Sequence, residues 1–163
     1  MAATTVADVM DGAGMTVGGF YAHFPSKDEL MAESVSSAMC QSMDVLNIAA
    51  GDKRGAEWIE AVSKSYLSRA HRDNPSTGCP LPANAAEMAN ATDTVRQAFA
   101  SSIDTVADEL AGHEEEAGVA GPREEALAAL ALMVGGMTLA RALKGTPLSD
   151  EVLKACRDHI KKS

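Results

Sequence analysis

Aromatic residues are scarce, at 4% of the 163 positions with a single tryptophan, and runs of β-branched residues are few. That speaks against a sheet-built core and for helices. Positive charge is also short: 14 Lys and Arg against 23 Asp and Glu leave a net charge of −9. Such a molecule does not adhere to nucleic acid as a whole, so any DNA contact has to come from a local patch. The three cysteines, Cys40, Cys79 and Cys156, are odd in number, far apart and without C-x-x-C spacing. Neither a disulfide framework nor a metal site is indicated, and a reducing cytoplasm is the expected compartment. No basic segment followed by an apolar one opens the chain, so no signal peptide is expected. The longest apolar stretch, Ala126 to Ala140, is too short to span a bilayer and is interrupted by Gly135, Gly136 and Thr138, so no membrane partner is expected. A nucleophile–base pair, paired carboxylates and a Gly-rich phosphate loop are missing, which argues against an enzyme and leaves no catalytic residue or cofactor to assign. What remains is 46% apolar residues in a length that suits one compact domain with room for a small satellite.

The first thirty-odd residues carry the most specific pattern. Thr5-Val-Ala-Asp8 reads as a capped helix start, with Val6, Val9 and Met10 on one face. Gly12 and Gly14 make a turn, Thr16 caps a second short helix reaching about His23, and Pro25 stops it. Ser26-Lys-Asp-Glu29 is a capping box for a third helix. Helix, Gly turn and short helix is helix-turn-helix order. Phe20 and Phe24, four apart, read as core. His23 reads as a packing or phosphate-facing residue rather than a metal ligand, because no partner spacing supports a metal.

On Thr5-Val-Ala-Asp-Val9, Ala13-Gly-Met-Thr16, Phe20-Tyr-Ala-His-Phe24 and Ser26-Lys-Asp-Glu-Leu30, the chain resembles the TetR family of transcriptional regulators. The resemblance implies an all-α fold, with a helix-turn-helix over residues 1–33 and a ligand-binding and dimerisation bundle over 34–163. It implies that the second helix enters the major groove of double-stranded operator DNA. Thr5, Thr16, Val17, Gly18, Gly19, Tyr21, His23 and Lys27 are then the DNA-binding candidates. Tyr21 and Lys27 would contact phosphates, and Thr16 to Gly19 would lie nearest base edges. The chemistry suits these roles: a phenol and an ammonium for phosphate oxygens, methyl groups for thymine. Readers of this family also carry a helix ahead of the position of Thr5, whereas this chain opens four residues before it. An incomplete reader is therefore expected, with Val6, Val9 and Phe20 left exposed. Residues 1–33 hold five acids against the single base Lys27, the wrong sign for a DNA-facing tip. A ligand-responsive repressor is the leading expectation. A ligand-binding, dimerising module unable to bind DNA is the alternative.

Downstream, one helix is expected from Ser26 to about Ala49, another from Ala56 to Arg72, a breaker-rich loop over 74–82, a short helix from Ala83 to Asn90, and a long one from Thr92 to Ala117. Gly78-Cys-Pro-Leu81 followed by Ala85-Ala-Glu-Met-Ala89 resembles the sensor half of one TetR subgroup. Helical bundles bind small molecules between helices, which nominates Met39, Met43, Leu46, Trp58, Tyr66, Met88 and Phe99. The same residues at helical spacing equally describe a core. Cys79 reads either as an electrophile or oxidant sensor or as an inert buried thiol. The helix after Pro122 is apolar all round, so it is expected to bury one side in its own core and one against a second copy in a homodimer. Leu127, Ala129, Leu130, Val134, Gly136 and Met137, with Leu153 on the last helix, are the dimerisation candidates. Ala129 and Gly136, seven apart, would form the close-approach face. The last helix is expected to start at Leu148, with Ser149 as cap and a Leu148–Leu153 staple.

Overall fold

The computed structural model describes residues 5–162, and within them every regular element is helical. Residues 1–4 and 163, at the outer ends of the two expected regions, lie outside that range. The elements are α1 (Val6–Gly12), α2 (Val17–His23), α3 (Lys27–Ala50), α4 (Gly55–Tyr66), α5 (Arg69–Asp73), α6 (Leu81–Asn84), α7 (Asp93–Glu116), α8 (Pro122–Ala142) and α9 (Pro147–Ile160), with short 3-10 turns at Pro75–Thr77 and Glu87–Asn90.

Local chemistry sets the early boundaries. At α1 the Thr5 hydroxyl accepts from Asp8 N at 3.2 Å, and the Asp8 carboxylate accepts from Thr5 N at 2.7 Å, a complete capping box. Thr16 caps α2 through Gly19 N, and Ser26 caps α3 through Glu29 N, both at 3.2 Å. α1 packs on α2, and the Phe20 ring lies 5.6 Å from Phe24 and edge-on to Tyr21. Phe20 is only 1% exposed, while Val6 and Val9 are half-buried. The expected exposure of Phe20 is thus corrected: its own helix and neighbouring rings cover it.

The body is built on α3 against α7, α7 against α8, and α8 against α9, with α4 wedged among α3, α7 and α9. One contiguous core results, running from Met39 and Leu46 on α3 through Val62, Val106 and Leu110 to Met133, Met137 and Leu153. Each such side chain contributes roughly 1.5–3 kcal/mol of burial.

Three expected boundaries are corrected. The helix expected over Ala56–Arg72 is two helices. Leu67 leaves the helical region (φ −85°, ψ 46°), Ser68 caps α5 through His71 N at 3.1 Å, and Arg157 donates to the freed Leu67 carbonyl. Over Ala83–Asn90 stand the end of α6 and a 3-10 turn in place of one short helix. α9 begins at Pro147 with Thr146 at the cap position, and the staple does not form, since Leu148 is half exposed. Ser149 is fully buried and works elsewhere: its hydroxyl donates to Ala140 O at 2.7 Å and accepts from Arg72 Nη1 at 2.9 Å. Arg72 and Arg69 both pair with Asp150, pinning α5 to α9.

α8 is 21 residues, longer than its apolar run, so by length and composition alone it could cross a membrane. Here it packs between α7 and α9 through Ala126, Leu130, Met133, Met137 and Ala140.

Candidate functional site

The short helix α2 presents a largely open surface. Thr16, Val17, Gly18, Tyr21 and His23 are exposed, with Tyr21 at 61%; Gly19 and Lys27 are half-buried. Thr5 is exposed on the preceding cap. The Thr5 and Thr16 hydroxyls already accept the backbone bonds that start their helices, and the Thr5 hydroxyl also donates to Asp8 Oδ2 at 2.7 Å. Phe20 anchors the helix from behind. Asp8 has its pKa lowered by the bonds from Thr5, with a smaller pull from Lys27.

The second site lies between α3, α4 and α7. Met39, Met43, Leu46, Tyr66 and Cys79 surround one cavity, together with Val62, Leu81, Val106, Leu110, Leu130 and Met133. Its inner part is nearly closed, with about 20 Å³ free, on the scale of a single water. A wider vestibule of about 320 Å³ adjoins it and shares Ser42, Leu46, Tyr66 and Cys79. Three nominated ligand residues fall elsewhere, which corrects that part of the expectation. Trp58 stacks on His113 (centroids 4.0 Å apart, planes 14°) and donates through Nε1 to Asn47 Oδ1 at 3.1 Å. Asn47 in turn donates to Glu109 Oε1 at 2.7 Å, so this ring ties α3, α4 and α7 together. Met88 is buried in its 3-10 turn against α7, and Phe99 packs half-buried on the outside of the core.

A polar cluster closes the outer end of the cavity. His71 Nδ1 donates to Tyr66 O at 2.7 Å, and its Nε2 accepts from Cys79 N at 3.1 Å, an arrangement that needs the neutral ring. Burial lowers the His71 pKa, opposed by the bond to Tyr66 O and assisted by Arg141. Gly78 is forced by this ring: a Cβ there would stand 2.3 Å from His71 Nε2. Arg141 Nη2 donates to His71 O at 3.2 Å. Sequence reasoning missed His71 and Arg141. The available signal was Arg141 as the first charge after the uncharged run 126–140. Among the described residues no group of three or more His, Cys, Asp or Glu side chains could hold a metal.

Residues 1–33 match the family profile described as bacterial regulatory proteins of the tetR family. Residues 55–159 match the profile for the C-terminal domain of LmrA/YxaF-like transcriptional regulators. The chain belongs to the TetR family. Its helix-turn-helix and helical bundle are the DNA-binding and ligand-binding regions of a TetR-family transcriptional regulator fold. Solved structures agree on the fold. Escherichia coli NemR in its reduced form superposes with a TM-score of 0.81 at 19% identity, over 98% of this chain and 85% of that one. A TetR regulator from Legionella pneumophila gives 0.76 at 20%, over 98% and 86%. One from Agrobacterium tumefaciens gives 0.74 at 19%, over 98% and 87%. No curated protein matches at a significant level.

In this TetR-family chain, four of the dimerisation candidates point inward. Leu130, Met137 and Leu153 belong to the protomer's own core. Gly136 is buried against α9: a Cβ there would lie 2.7 Å from Cys156 Sγ and 3.2 Å from Leu67 Cδ2. The close approach it permits is therefore between α8 and α9 of one protomer, and the expected Ala129–Gly136 face is corrected. Leu127 is exposed, Ala129 and Val134 are partly buried, and Leu139, which the sequence reading left out, is 55% exposed on the outer side of α8.

Proposed function

We propose that the protein is a homodimeric, cytoplasmic repressor that binds operator DNA through α2 and releases it when a small molecule enters the α3–α4–α7 cavity. The observation that carries this reading is the continuity of α3. It is one 24-residue helix whose cap, Ser26, follows α2 by three residues, and whose Met39, Met43 and Leu46 form a wall of the cavity. A ligand prising α3 from α7 tilts this helix and displaces the reader at its other end. In a dimer paired through the outer face of α8, with Leu127 and Leu139 at its centre, two such tilts change the spacing of the recognition helices. Half-sites one turn apart place successive major grooves about 34 Å from each other, so a small change in spacing discriminates strongly. Electrophile attack at Cys79 is a narrower form of the same reading, since the thiol lines both parts of the cavity.

The test is equilibrium binding to the DNA flanking the protein's own coding region, at low salt. Sequence-dependent binding weakened by Tyr21→Phe supports the reading. A folded dimer that binds that DNA no better than random duplex counts against it. One observation favours a second reading, a ligand-binding and dimerising module without DNA affinity: the five acids and single base within residues 1–33. That reading predicts ligand binding and dimerisation with no DNA shift at any salt concentration.

A further inference from the structure

The cavity's inner lining is apolar, but the Tyr66 hydroxyl within it is buried without a hydrogen-bond partner, and Nε and Nη1 of Arg141, which stands behind His71 at the cavity's outer part, are buried and unpartnered as well. Tyr66 is 3% exposed and lines both parts of the cavity. Its neighbour there is the Cys79 thiol, a weak partner; burial first, and that thiol second, push the phenol pKa up. Arg141 reaches the same place through His71. Its Nη2 holds the His71 carbonyl, the His71 ring sits edge-on to Tyr66 at 4.6 Å, and a Cβ on cavity-lining Gly78 would lie 3.2 Å from Nη2. Among the described residues no carboxylate pairs with this guanidinium. Unpaired buried donors are costly to keep, and native proteins rarely keep them without a partner in some state.

All three orphan atoms can donate, and the guanidinium atoms can do nothing else. Their unmet need is an acceptor, best met by an anion. We propose that the effector is an amphipathic carboxylate, its head held by Tyr66 Oη and the Arg141 guanidinium and its apolar body between Met39, Met43, Leu46 and Leu110, a cleft of about 20 Å³ that it opens by parting α3 from α7. This rests on reading the cavity as the effector site and names the chemistry of its ligand. It also gives the vestibule a role as the entry for the head group, since Ser42, Ser65 and Ser68 make that mouth more polar than the inner cleft.

Titration calorimetry on the full chain with three probes of equal chain length, decanoate, decanol and decylamine, tests it. Decanoate is expected to bind about tenfold tighter than decanol, with decylamine weakest. Arg141→Gln removes the decanoate advantage while leaving decanol unchanged. Tyr66→Phe, which keeps the ring and deletes only the hydroxyl, lowers the advantage in part and carries the test alone if Arg141→Gln fails to fold. The proposal is overturned if decanol binds as tightly as decanoate, if neither variant alters their ratio, or if no probe binds. Release of bound DNA is followed in parallel by fluorescence anisotropy. Decanol and decanoate that release DNA equally well overturn the anionic head but preserve ligand control. Arg141-dependent decanoate binding that leaves DNA affinity untouched supports the carboxylate site and overturns ligand control.

Discussion

The reader and the body solve the same problem with very different means. In the body, one core joins six helices, and residues distant in sequence, such as Met39, Val106 and Met137, support one another. In the reader, α1 and α2 are seven residues each, and their buried apolar residues are Met10 and Phe20. Helices that short do not persist on propensity. They stand on caps: the Thr5–Asp8 box and Thr16. The body is held by contacts between distant segments, while the reader is held locally, and in the mechanism proposed above α3 carries it as a unit. A regulator that moves its reader needs this division, because low local stability belongs to the elements that move.

The comparison breaks most visibly at Met137, which is fully buried where α8 meets the core. Met137→Ala is expected to cost about 2–5 kcal/mol of global stability, read as a lower denaturant midpoint for the whole chain. Phe20→Ala deletes a comparable volume from the reader, yet its effect should be local. Amide exchange in α1 and α2 should accelerate while the midpoint of the body stays close to wild type. A matching global loss would mean that reader and body unfold as one unit.

Next in size is a pH effect confined to the body. The folded His71 pKa lies below its ordinary 6.5, so the native state favours the neutral ring. Its contribution is present in full above pH 6.5 and is lost as pH falls toward the folded pKa, where protonation also removes the acceptor for Cys79 N–H. Thermal melts between pH 7.5 and 5.5 should show a falling midpoint in wild type and a flatter profile in His71→Gln. The smallest effect is expected at Lys154–Asp158, an exposed i,i+4 pair on α9. Lys154→Ala should change stability by no more than about 0.5 kcal/mol.

The two regions also differ in how legible they were. The reader's boundaries follow from side chains that act on their own neighbours: Thr5 on Asp8, Thr16 on Gly19, Ser26 on Glu29. Such bonds are written within four residues. In the body, α8 is apolar on every side, so periodicity could not separate its inner face, Leu130 and Met137, from its outer one, Leu127 and Leu139. Leu67 looked like the middle of a helix because nothing local reveals that Ser68 caps a new one and that Arg157, ninety residues on, takes the Leu67 carbonyl. The cavity was half legible. Met39, Met43 and Leu46 share one helix face, whereas Tyr66, His71 and Arg141 meet only through the fold. Trp58 was misplaced because its helical spacing groups it with the cavity residues, while its indole N–H found Asn47.

The central claim is that α2 reads DNA and α3 links it to the cavity. Selection of bound duplexes from a random pool by the purified dimer tests the first half most directly. The account predicts enrichment of a two-fold symmetric site with half-sites spaced by whole helical turns, about 10 base pairs or a multiple, and loss of that enrichment in Tyr21→Phe. A folded dimer that enriches no sequence, or whose enriched site is indifferent to Tyr21, would contradict it.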